Sequence, residues 1–187
     1  MQKTNTLHMF LFNHQTDSEG MIMGLMRSAA VKGIIPPGNK VSELRSNLMR
    51  LMTTMALVME ERFGKEGLAA VSEIFGKLGE EDAKTLKERL GLGDGLKDAL
   101  DAWLVIGHVM GSKMDTTWIS NNRVETDHPF CPQYEVFKEK GTLYCESVCW
   151  PYVEAVAVGV AKGAKMEVVR PANQQNACRK AILLTRD

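Results

Sequence analysis

A change of hydrophobic period near Gly111 constrains the fold of this chain more than any single motif. Before it, Val41, Leu44, Leu48, Leu51, Met55, Val58 and Met59 recur at steps of three and four, as on one face of an amphipathic helix. Pro36-Pro37-Gly38-Asn39 breaks the chain ahead of that helix, which should start near Lys40 and end at Gly64. A second stripe runs from Leu68 to Leu78 and stops at Gly79, and a weaker third carries Ala83, Leu86 and Leu90. Asp94 in the turn Gly91 to Gly95 is placed to cap a fourth helix through Leu96, Leu100, Trp103 and Leu104. Met21 to Val31 adds a helix near the start. After Gly111 the β-branched and aromatic run Thr116-Thr117-Trp118-Ile119, the turn Asn121-Asn122 and Arg123 to Thr126 read as a hairpin. Helices over Pro132–Lys140 and Glu146–Lys162 follow. A last hairpin then runs from Lys165–Arg170 to Ala177–Thr185.

Strands that come in pairs, instead of alternating with helices, predict an α+β fold with an antiparallel sheet. The expected layout is a helical N-terminal part followed by two hairpins with two intervening helices. It divides into a helical part, 1–110, and a cysteine-bearing α+β module, 111–187, or forms one continuous domain. At 44% hydrophobic and 25% charged residues, 187 residues suffice for an ordinary core. The twelve methionines are read as adaptable core packing.

Charge excludes one class of partner. Lys plus Arg and Asp plus Glu both number 23, so no basic excess exists for phosphate backbones, and nucleic acid is not expected as the main partner. No apolar run approaches the ~18 residues that a membrane span needs, so no membrane partner is expected. Leu7 to Phe12 is too short for the core of a signal peptide, and a cytoplasmic setting is expected. A small-molecule substrate or ligand is the expected partner, with room left for a homo-oligomer.

All four cysteines, Cys131, Cys145, Cys149 and Cys178, fall in the last third of the chain. Without an export signal they suggest thiol chemistry, metal ligation or inert packing, not disulfides. In His128-Pro129-Phe130-Cys131-Pro132, Pro132 suits the first position of a helix, which makes Cys131 its N-cap. Backbone N–H groups and the positive end of the helix should then lower the thiol pKa, and His128 is placed to act as base or second ligand. Otherwise Cys131 fills space at a helix start. Cys145 and Cys149, four apart, should share one helix face and so could share one metal ion. Cys178 falls on the last strand. The gaps of 13, 3 and 28 residues match no specific zinc or iron–sulfur spacing. Arg170 and Arg179, on the arms of the last hairpin, would clamp a carboxylate if they face inward and lie in solvent if they do not. His8, His14 and His108 show no partner spacing. Phosphate loops, serine elbows and paired-histidine metal motifs are absent.

Cys131-Pro132, Gly141 to Cys145, Met166 to Arg170 and Ala177-Cys178-Arg179 together resemble the L-2-amino-thiazoline-4-carboxylic acid hydrolase-like family. The closing strand, turn, cysteine and strand also look like the end of the 4-vinyl reductase domain. Gln174-Gln175-Asn176 stands where the pattern has a Gly-Asp turn, which removes a carboxylate, and Cys149 is an additional thiol. The resemblance implies a hydrolase that opens a small cyclic amidine carboxylate with water. A thiolate-bound zinc ion held by Cys131, Cys145, Cys149 and Cys178 would activate that water, with Arg170 or Arg179 holding the carboxylate. A metal-free route would use Cys131 as nucleophile and His128 as base. The alternative is a non-catalytic module that binds a metal ion, an iron–sulfur cluster or a small molecule. A third reading is an interaction protein with inert cysteines.

Overall fold

The computed structural model describes residues 22, 23 and 25–185. Leu7 to Phe12, His8, His14 and Met21 lie outside the described residues, and 25–31 are helical. The chain divides into two compact units, Met1–Leu44 and Arg45–Asp187.

Helix α1 (Pro37–Leu90) is broken at Gly64, whose φ of 57° and ψ of −136° suit only a residue without a side chain. The helix does not end at Gly79, as the stripes predict. That glycine is buried, and a Cβ there would lie 2.4 Å from the Tyr152 carbonyl oxygen and 2.9 Å from the Ala155 Cβ. Its lack of a side chain lets a later helix approach closely, and the helical hydrogen bonds continue through it. Helix α2 (Leu96–Met110) is capped by Asp98, not Asp94: its carboxylate accepts the N–H groups of Gly93 and Gly95, both at 3.0 Å. These two N–H groups hold the Asp98 carboxyl below the usual carboxylate range.

Strands β1 (Lys113–Ser120), β2 (Arg123–Phe130), β3 (Ala164–Arg170) and β4 (Arg179–Leu184) form one antiparallel sheet in the order β1-β2-β4-β3. The fold is α+β, with two hairpins meeting where β2 pairs with β4. Strand β2 continues past Thr126 to Phe130, which puts His128 on the sheet instead of in a loop. Cys178 lies just ahead of β4, not on it.

Helix α3 (Pro132–Glu139) follows β2. The expected single helix from Glu146 is instead a π-turn (Cys145–Cys149) running into helix α4 (Trp150–Val160). Pro151 follows the π-turn and has no N–H to give the Ser147 carbonyl four residues back. That carbonyl accepts the Ser72 hydroxyl at 3.2 Å, and the Trp150 N–H reaches back five residues to the Cys145 carbonyl.

Two apolar clusters hold these elements together. In the first, Ala83, Trp103, Val156 and Val160 pack on Val124, Met166 and Ile182 of the sheet. The second joins Ala56, Val71 and Phe75 of α1 to Phe137, Tyr144 and Val148. Helical residues before 110 thus share apolar clusters with the cysteine-bearing module. Among the described residues no helix is long and apolar enough to cross a membrane.

Candidate functional site

A cavity of about 430 Å³ is lined by members of both clusters. Its walls are mostly apolar, with Met52 and Phe75 from α1 and Trp103 and Ile106 from α2. Its rim is marked by the half-exposed Leu48 and Leu78 and by the exposed Val109. Its buried end gathers His128, Cys131, Cys145, Cys149, Cys178 and Lys180.

Each of these side chains has a local reason for being there. On β4, alternation puts Lys180, Ile182 and Leu184 on the face that packs under the helices. Lys180 pairs in register with Thr126 of β2 and Val168 of β3. On β2, the buried positions Val124, Thr126 and His128 alternate in the same way. The His128 ring lies 5.8 Å from Trp103, and its Nδ1 is 2.9 Å from the Cys178 carbonyl oxygen. A carbonyl only accepts, so Nδ1 carries a proton.

The thiols differ in their electrostatics. Burial pushes Cys178 up, but the Lys180 ammonium, together with the hydrogen bond and charge of His128, brings it down to about 7. Cys131 is pushed up to about 11, first by burial and then by Cys149. The sequence expectation for Cys131 is therefore reversed. It does start α3, but desolvation outweighs what the Tyr134 N–H at the helix terminus contributes to the thiolate. Cys149 is held well above the usual thiol range by its hydrogen bond with Cys145 and by burial. For Lys180, burial works against the charge, while Cys178, Cys149, Cys145 and Cys131 raise its pKa above the ordinary value.

The structure thus brings the four cysteines and His128 to one cavity, but it gives His128 to Cys178 and not to Cys131. All four thiols are free. Among the described residues, no group of three or more His, Cys, Asp or Glu side chains is arranged to hold a metal ion. Arg170 does not line this cavity. It forms an ion pair with Asp127 at 2.7 Å, donates to the Ala177 carbonyl at 3.0 Å and borders a second, polar cavity of about 330 Å³. Arg179 points to the opposite face of the sheet, where it meets Glu125 at 2.8 Å. The residue that sequence reasoning missed is Lys180. Its signal was parity: in Arg179-Lys180-Ala181-Ile182-Leu183-Leu184, the lysine shares a face with Ile182 and Leu184.

No family model matches the chain, and no curated protein matches it. Among solved structures, the chain is similar in fold to trafficking protein particle complex subunit 3 from Naegleria fowleri, whose crystal structure is of the protein covalently bound to palmitic acid. The TM-score is 0.59 at 13% identity, over 78% of this chain and 97% of the other.

Proposed function

We propose that this chain is a binding module for a small, predominantly apolar molecule, held in the cavity with its functional end at Cys178, Lys180 and His128. The observation that carries this reading is the cavity. At about 430 Å³ it falls within the ~300–1,000 Å³ of typical ligand sites, and it joins apolar walls to a few convergent polar groups. The similarity in fold to a subunit solved with covalently bound palmitic acid supports the reading, since that protein carries an apolar chain.

The hydrolase reading implied by the family resemblance is the second. What favours it is that Cys178, at about 7, lies beside His128 at the buried end of the cavity, so nucleophile and base would be Cys178 and His128. The apolar walls suit a small polar heterocycle less well. Native mass spectrometry of protein purified without detergent distinguishes the two. The binding reading expects a co-purified or added apolar molecule at one per chain, released on unfolding or left on a cysteine. A chain that takes up no such molecule but opens L-2-amino-thiazoline-4-carboxylate would reverse the order.

A further inference from the structure

The buried end of the cavity carries a cation that no carboxylate meets. Lys180 is 3% exposed and forms no ion pair among the described residues. The groups facing it are His128 from β2, Cys131 from the start of α3, Cys145 and Cys149 from the π-turn, and Cys178 beside β4. Asp82, the one carboxylate on the cavity wall among the described residues, is engaged by the Tyr152 hydroxyl at 2.6 Å. Arg89 also borders the cavity, but it is exposed and water solvates it. Desolvated ammonium groups need an anionic partner. Burial pushes the thiols of Cys131 and Cys149 up, and the Cys178 thiol, at about 7, is a partner that titrates across neutral pH and not a fixed anion.

Resting on the cavity reading above, we infer that the ligand carries a carboxylate head group, and that Lys180 pairs with it noncovalently at the buried end while the apolar body runs toward the rim at Leu48 and Leu78. Lys180 is then the residue that selects acids over neutral molecules of the same shape. A phosphate is a poorer fit, because one ammonium without an arginine fork leaves most of its oxygens unmet.

The test is displacement of a neutral fluorescent probe, N-phenyl-1-naphthylamine, from the full-length protein by dodecanoic acid and by 1-dodecanol. The wild type should bind the acid about tenfold or more tightly than the alcohol. Lys180→Met, close in shape, should lose about thirtyfold for the acid and keep its affinity for the alcohol. Lys180→Arg should retain a preference for the acid. Equal binding of acid and alcohol by the wild type, or unchanged acid binding by Lys180→Met, overturns the role of Lys180 and leaves the cavity reading intact. Loss of both ligands in Lys180→Met with a lower melting temperature makes the lysine structural and also overturns it. If neither ligand nor the probe binds the wild type, the cavity reading fails and this inference fails with it.

Discussion

A thiol beside an ammonium and an imidazole ionises more readily than one surrounded by hydrocarbon, and this cavity contains both kinds. Cys178, at about 7, should be alkylated by iodoacetamide with a midpoint near neutrality and level off at higher pH. Cys131, at about 11, should keep accelerating far into the alkaline range. Peptide mapping after timed alkylation checks this, and Lys180→Met should move the Cys178 midpoint upward. Parallel alkylation of both cysteines would contradict the assignment. The same shift has a consequence for stability. The folded state holds the Cys131 proton more tightly than the unfolded chain, whose thiol titrates near 9.0. The stability this contributes is present below about pH 9 and lost as the pH rises toward 11. Denaturant unfolding at the two pH values should show the wild type losing up to ~2 kcal/mol more than Cys131→Ala. At this scale the cysteines and His128 were legible, because they concentrate in one stretch of sequence. Which thiol is the acidic one was not. That depends on burial and on Lys180, neither of which is set by the residues adjacent to Cys131.

At the scale of elements, the turn at Asn121-Asn122, the switch of period near Gly111 and the pairing of strands were readable from local pattern alone. Two glycines of α1 show where local pattern stops being sufficient. A Cβ at Gly76 meets nothing, whereas one at Gly79 would strike the Tyr152 carbonyl and Ala155. Gly76→Ala should therefore stabilise the protein by roughly 0.5–1 kcal/mol through helix propensity. Gly79→Ala should destabilise it by roughly 1–3 kcal/mol through overpacking against α4. Thermal melts of the pair check this, and equal effects would mean that α1 does not approach α4 so closely. Sequence reasoning took Gly79 for a helix end because its function is tertiary. The π-turn was overlooked for a different reason. The missing N–H of Pro151 was visible in the sequence, but Ser72, the donor that satisfies the freed carbonyl, lies 75 residues from Ser147 and is brought near only by the fold.

At the scale of the whole molecule, the cavity exists because two apolar clusters, one on the sheet and one between α1 and α3, meet without filling the space between them. Void of that size costs dispersion contacts unless something occupies it. The volume was not legible in the sequence, since its walls come from α1, α2, α4 and the sheet, and no local period records their separation. Leu78 on the rim is 43% exposed, so a larger side chain there should plug the mouth without repacking the core. The measurement that tests the central claim most directly is a fluorescence titration of the full-length wild type and of Leu78→Trp with N-phenyl-1-naphthylamine, whose neutrality makes it independent of Lys180. The account predicts saturable binding of one probe per wild-type chain and at least roughly tenfold weaker binding to Leu78→Trp, with the melting temperature unchanged. Binding that fails to saturate, or that Leu78→Trp leaves untouched, would contradict it.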